Sequence, residues 1–320
     1  MTKIKTPESL SEAITYFADK NTALQFLQFL RWPSGVVCAH CDAPNPMFLK
    51  TRRIWKCRVC RKQFSVKMGT VFEDSPLGLD KWLPAIWLLA NSKNGISSYE
   101  VARALGVTQK TAWFMLGRIR LAMQTKSFKK MSGSVEADET FIGGKAINMH
   151  PSKRARVIRT TGPAAKVAVL GLMQRGQNGE PSTVRATVVE NVSAKSLKPI
   201  VQEHVEKGSN LYTDSWSGYR AWPRADFKHG VIDHRLAYVD GPIHTNGMEN
   251  FWSLLKRAIK GTYVSVDPFH MFRYVDEQTF RFNHRKENDG WRFAHVVSTI
   301  MGKRLTYKSL IGQDLAPATT

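Results

Sequence analysis

The spacing of apolar residues changes near residue 130, from the three-to-four-residue recurrence of helices to the alternation of strands. Residues 8–31 predict two short amphipathic helices that stop at Trp32-Pro33. The segments 53-RIWKC-57 and 63-QFSVKM-68 predict short strands, and 79-LDKWLPAIWLLANSK-93 a buried helix. In 96-ISSYEVARALGVTQKTAWFMLGRIRLAM-123, Ser97 and Glu100 have capping-box spacing, Gly106 sits where a first helix must stop, and Thr108 is placed to cap a second. Ala112, Leu116 and Ile119 form the inner stripe of that second helix, which leaves Gln109, Lys110, Arg118 and Arg120 outside. This is the layout of a helix-turn-helix; two plain packed helices are the alternative, and the basic charge favours the first.

Beyond residue 133 the pattern is 134-SVEADETFIG-143, 166-KVAVLGLM-173 and 183-TVRATVVE-190 as strands, then a helix at about 193–207. The strands 211-LYTD-214 and 230-GVIDH-234 follow, and a long helix starts near Asn246. Three strands, helix, strand, strand, helix, with meander connections first and a crossover after, is the order of an RNase H-like α/β domain.

Charge narrows the partners. The 320 residues carry 47 Lys and Arg against 26 Asp and Glu, a formal charge of +21, spread along the chain instead of gathered in a tail. Such a field attracts polyanions, nucleic acid first. A membrane is the rival, but the longest apolar run, 82-WLPAIWLLA-90, is nine residues, short of the roughly 20 that a spanning helix needs. The start of the chain is polar and helix-like, without a secretory pattern, so the expected compartment is the reducing cytosol.

All four cysteines lie in 38-CAHC-41 and 57-CRVC-60. The spacing C-x2-C-x15-C-x2-C predicts that Cys38, Cys41, Cys57 and Cys60 hold a structural zinc ion in a four-thiolate ribbon. Two disulfides are the alternative, disfavoured in a reducing compartment. Arg and Lys residues around the second pair form either a solvated face or a phosphate-contacting one.

The strand 134-SVEADETFIG-143 carries Glu136, Asp138 and Glu139 within four residues. Carboxylates that close raise one another's pKa unless a cation answers them. Glu136 and Asp138 share one face of the strand, and Glu139 points to the other. Asp214 ends a later strand, and Glu249 lies in the first turn of the helix that follows 244-HTNGMEN-250. Two acids on strand ends and one on a nearby helix suit two Mg²⁺ or Mn²⁺ ions and in-line phosphodiester chemistry. Each acid also has a plain reading. Glu249 is three residues after Asn246, a capping-box spacing, Asp214 begins a turn, and Glu136 and Glu139 have many basic neighbours to pair with.

The four-cysteine segment, 134-SVEADETFIGGK-145, 211-LYTDSWSGY-219, 244-HTNGMENFWSLLKRAIKG-261, 279-TFRFNHR-285 and 304-RLTYKSLI-311 together resemble the ISXO-type insertion-sequence transposases of the DDE superfamily, in order and over nearly the whole chain. The resemblance implies an acidic triad at Asp138, Asp214 and Glu249, with Glu136 a neighbour and not a ligand. Asn283 matches a family position, and His244 stands five residues before Glu249, where it meets either DNA and water or the helix start.

The expected organisation is a multi-domain α/β chain: a helical segment at 1–32, a zinc ribbon at 33–75, a helix-turn-helix region at 76–130, an RNase H-like domain at 131–290, and a C-terminal helix and tail at 291–320. As a transposase it would bind duplex DNA at the ends of its element, cut there, and join the freed 3′-hydroxyl to a target. It would act as a homo-oligomer near the nucleoid of a bacterial cytosol. Gln109, Lys110 and Thr111 are the expected base readers. Lys153, Arg154 and Arg156 of a basic loop, with Lys256, Arg257 and Lys260 of the last helix, are the expected backbone contacts. A non-catalytic zinc-ribbon regulator, or a nuclease that cuts without joining, are the competing readings.

Overall fold

The structure is a computed structural model, and it describes residues 6–124, 129–144, 150–152, 166–215, 226–232, 239 and 241–314. It divides into two compact units, residues 1–123 with 287–320, and residues 124–286.

The first unit begins with helices α1 (Leu10–Ala18) and α2 (Lys20–Arg31), started by Ser9 and Asp19, whose side chains accept the backbone N–H of Glu12 and Thr22. A three-stranded antiparallel sheet follows, β1 (Met47–Leu49), β2 (Ile54–Lys56) and β3 (Gln63–Phe64). Its register stacks Phe48, Trp55 and Phe64 across the strands. Helices α3 (Leu79–Asn91), α4 (Ser98–Leu105) and α5 (Gln109–Met123) come next. The capping box of Ser97 and Glu100 is formed, and Gly106 ends α4 in the left-handed conformation, φ 63°. The core joins Phe17, Phe26, Trp87 and Phe293, the last contributed by the helix Asp289–Ser298.

One expectation fails here. Arg118 and Arg120 are not on an outer face of α5; they are 5% and 3% exposed. The guanidinium of Arg118 donates to the carbonyls of Leu305, Val71 and Glu73. Burying a guanidinium is tolerable only when such acceptors replace water, and here distant loops provide them.

The second unit is built on a five-stranded sheet in the order β6-β5-β4-β7-β8, made of β4 (Ser134–Ile142), β5 (Val167–Gln174), β6 (Thr183–Val189), β7 (Asn210–Asp214) and β8 (Lys228–Ile232). β4, β5 and β6 pair antiparallel, while β4–β7 and β7–β8 are parallel. Helix α6 (Ala194–His204) covers one face, where Val135, Ala137, Leu170, Leu172 and Leu211 meet Leu197 and Val201. Helices α7 (Asn246–Arg257) and α8 (Met271–Asn283) cover the other, where Val169 and Met173 meet Met248, Phe251, Trp252, Leu255 and Val275. A mixed sheet between helices, with the meander first, is consistent with an RNase H-like domain. Among the described residues no helix is long and apolar enough to cross a membrane.

Candidate functional site

The sulfur atoms of Cys38, Cys41, Cys57 and Cys60 all lie within 4.8 Å of one another. Cys38 Sγ is 3.7 Å from Cys60 Sγ, and Cys41 Sγ is 3.7 Å from Cys57 Sγ. Thiolates held tetrahedrally at about 2.3 Å from zinc stand about 3.8 Å apart, whereas a disulfide needs about 2.05 Å. The donor set therefore fits zinc and not two disulfides. Backbone N–H groups of His40, Val59 and Cys60 point at the sulfurs of Cys38 and Cys57. His40 is not among the ligands; its ring nitrogen bonds the carbonyl of Gln63.

The acids come from the second unit. β4 and β7 pair in parallel with Ser134 opposite Asn210 and Glu136 opposite Tyr212. The pairing stops there; Asp138 lies at the middle of β4 and Asp214 at the carboxyl end of the adjacent β7, close enough for the charge of Asp214 to act on Asp138. Side-chain alternation turns both toward α7, because Val135, Ala137 and Leu211 occupy the α6 face. Glu249 sits in the first turn of α7, exposed. The N-cap of that helix is Thr245, whose own side chain makes no capping bond. The spacing from Asn246 to Glu249 is therefore not a capping box.

The carboxyl of Asp138 is raised to about 6, chiefly by burial, with the charges of Asp214 and Glu249 adding to it against a hydrogen bond from Trp252. Its Oδ2 accepts the indole N–H of Trp252 at 2.9 Å and its Oδ1 the backbone N–H of Glu139 at 2.9 Å. Glu139 is pushed up to about 8 by burial, then by Asp138 and Asp214. A cluster of hard oxygen donors is a donor set for Mg²⁺ or Mn²⁺. Yet among the described residues only the four cysteines are drawn into a group tight enough for one ion.

Glu136 is 1% exposed and occupied at both oxygens, by Arg175 Nε at 2.7 Å and by the backbone N–H of Met248 at 2.9 Å. His244 faces the same guanidinium: Arg175 Nη2 donates to its Nδ1 at 2.9 Å. Burial and then the Arg175 charge hold the His244 pKa below its ordinary value. Asn283 is turned to the sheet edge, where its amide donates to the carbonyl of Val184 and accepts the Val184 N–H, at 2.9 and 2.7 Å. It completes the hydrogen bonding of the outer strand β6.

The expected DNA contacts are placed as follows. Gln109 Nε2 donates to Ser98 Oγ, Thr111 Oγ1 pairs with Thr108 Oγ1, and the Lys110 ammonium lies 5.1 Å over the ring of Tyr307. On α7 and the π-helical turn that continues it, Arg257 and Lys260 are exposed and Lys256 half-buried. Lys153, Arg154 and Arg156 lie outside the described residues.

Three residues at the acids escaped the sequence reading. Neither Trp252 nor Arg175 is singled out there. Gly171 had a usable signal, a glycine inside a strand. It is paired directly with Asp138, and a Cβ there would lie 2.1 Å from Met248 Cε and 2.6 Å from the Trp252 ring.

A four-cysteine ribbon, a helical region and a mixed α/β domain define a zinc-ribbon protein whose second unit is consistent with the DDE class. Residues 130–283 match the ISXO2-like transposase domain and residues 18–63 the transposase zinc-ribbon domain. Over 255 residues, 76% of this chain and 84% of the relative, the sequence is 26% identical to an uncharacterized protein in transposable element ISH50 of Halobacterium salinarum. Over 100 residues, 31% of this chain and 80% of the relative, it is 32% identical to an uncharacterized transposase-like protein of Haemophilus influenzae. The chain belongs to the ISXO2-like transposases, with the zinc ribbon at its N-terminal end.

Proposed function

We propose that the chain binds the terminal inverted repeats of an insertion sequence, cuts DNA at the element's ends, and joins each freed 3′-hydroxyl to target DNA. The observation that carries this reading is that β4 and β7, which bear Asp138 and Asp214, are adjacent parallel strands, and that the charges of Asp214 and Glu249 both act on Asp138. These three are the proposed catalytic set, holding Mg²⁺ or Mn²⁺. Two such ions, when bound, supply activation of the attacking oxygen and stabilisation of the departing one.

In the cut, a water oxygen bonds to phosphorus as the bond to the 3′ oxygen at the element's end breaks. In the joining, that 3′-hydroxyl oxygen bonds to a target phosphorus and the target's own 3′ oxygen leaves. Each attacking oxygen releases a proton to solvent and each departing oxygen takes one up. One phosphodiester replaces another in the second step, so no external energy source enters.

Recognition of the ends is assigned to the helix-turn-helix through Gln109, Lys110 and Thr111, aided by the ribbon, whose zinc is structural. Lys256, Arg257 and Lys260 grip the backbone, with Lys153, Arg154 and Arg156 added from the basic loop. Such contacts make binding steeply salt-dependent. Two ends must be held together, which favours a homo-oligomer acting at the nucleoid of a bacterial cytosol.

The test is a labelled duplex bearing the element's end, incubated with purified protein and Mg²⁺ or Mn²⁺. Cut and joined strands are expected. Tight end binding with no cutting in either metal would reject the reading in favour of a DNA-binding regulator.

A further inference from the structure

We propose that Arg175 is a positioning residue for the catalytic acids: one guanidinium fixes the spacing between the two strands and the helix that carry them. The inference rests on the reading of Asp138, Asp214 and Glu249 given above.

Arg175 directly follows β5, and its backbone N–H donates to the carbonyl of Ser134 at the start of β4. Its Nε donates to Glu136 Oε1 at 2.7 Å, and Glu136 stands two residues before Asp138 on the same face of β4. Its plane lies over the ring of Tyr212, 4.6 Å from the centroid, and Tyr212 stands two residues before Asp214 on β7. Nη1 donates to the carbonyl of Pro242 at 2.6 Å, and Nη2 to the carbonyl of His244 at 2.8 Å. Those carbonyls belong to the approach to α7. Glu136 then finishes the grip, since its second oxygen accepts the N–H of Met248, the residue before Glu249. Every element that bears an acid is thus held within a few residues of that acid by one side chain or its ion-pair partner.

Two features separate this from an ordinary ion pair. First, the start of α7 has no side-chain cap of its own, so the carboxylate from β4 takes that place and also meets the positive end of the helix. Gly247 makes room for it, since a Cβ there would sit 2.9 Å from Glu136 Oε2 and 2.4 Å from Met173 Sδ. Second, the donors are spent in several directions from one rigid plane. A lysine offers the same charge from a single point and has no fork to divide among Glu136, Pro242 and His244.

The experiment uses the full-length, zinc-loaded protein with Arg175→Lys and Glu136→Gln. Mn²⁺ affinity is measured without DNA, and cleavage of the end duplex is separated into kcat and KM. Groups that orient metal ligands typically change affinity or rate by about 10–100-fold. Arg175→Lys is expected to weaken Mn²⁺ binding and lower kcat by about tenfold or more, with KM for the duplex unchanged. Glu136→Gln keeps an acceptor for Met248 but loses the charge, and should fall in the same direction by less; it carries the test if Arg175→Lys does not fold. Wild-type Mn²⁺ affinity and kcat in Arg175→Lys would overturn the proposal, as would KM and kcat failing together with the fold in both variants. A wild-type protein that binds Mn²⁺ through Asp138 yet cuts nothing would refute the transposase reading alone, leaving Mn²⁺ affinity to decide the role of Arg175.

Discussion

Trp252 Nε1 donates to Asp138 Oδ2 at 2.9 Å. The contact ties α7 to β4, because Trp252 lies three residues after Glu249 and so on the same side of the helix. The orientation of the strand acid is therefore set by the helix that bears the other one.

Replacing Trp252 with Phe keeps the ring and removes only the N–H. A hydrogen bond to a charged group is worth about 1.5–3 kcal/mol, which corresponds to about tenfold or more in rate if it is felt at the metal site. Strand cleavage by Trp252→Phe should fall by that order while end binding and thermal stability hold. An unchanged cleavage rate would mean that Asp138 needs no help from the indole.

Gly171→Ala should act on the same contact from beneath. The added methyl has no space between β5 and α7, so the helix must lift or the Trp252 ring must turn. Overpacking of this kind costs about 1–3 kcal/mol, or several degrees of Tm in a domain of this size at about 2–4 °C per kcal/mol. Differential scanning calorimetry checks the stability and the cleavage assay checks the function; both should drop.

Stability without divalent cations should fall as pH rises. The folded chain keeps the protons of Asp138 and Glu139 up to about 6 and about 8, whereas unfolding returns these groups to 3.8 and 4.5. Between those limits the folded state binds more protons than the unfolded one, so raising pH favours unfolding. Melting temperatures of Mg²⁺- and Mn²⁺-free protein should decline from about pH 7 to pH 8, above the range in which His204, His244 and His295, held below their ordinary 6.5, act in the opposite sense. Glu139→Gln should remove most of the upper part of that slope, and Mn²⁺ should flatten it in the wild type. A melting temperature that climbs over this range would contradict the assigned environments.

Metal analysis of protein purified without chelator should find a single zinc ion per chain at the four cysteines. Cys57→Ser should lose it, along with binding to the element's end, because a ribbon this small depends on its metal for folding. Thiol titration that instead finds disulfides would overturn the zinc site.

Much of this was legible in the chain itself, for local reasons. The four cysteines are close in sequence, so their spacing alone predicts a ribbon, and the capping box at Ser97 and Glu100 spans four residues. Strand alternation sufficed to put Glu136 and Asp138 on one face. The misses share a cause in partners far away in sequence. Arg118 reads as surface because nothing near it reveals the carbonyls of Val71, Glu73 and Leu305 that receive it. Arg175 reads as one cation among 47 Lys and Arg, since Glu136, Tyr212 and His244 reach it from three other segments. The capping-box spacing of Asn246 and Glu249 stands only as the alternative reading, and nothing near it in sequence reveals that the carboxylate at this helix start comes from a strand more than a hundred residues earlier.

The most direct measurement compares the wild type with Asp138→Ala, Asp214→Ala and Glu249→Ala on a duplex carrying the element's end, scored for binding, cutting and joining in Mg²⁺ and Mn²⁺. End binding that survives in all three, with cutting and joining lost in each, is the predicted result. Cutting that persists in any one of them would remove that acid from the catalytic set and contradict the triad.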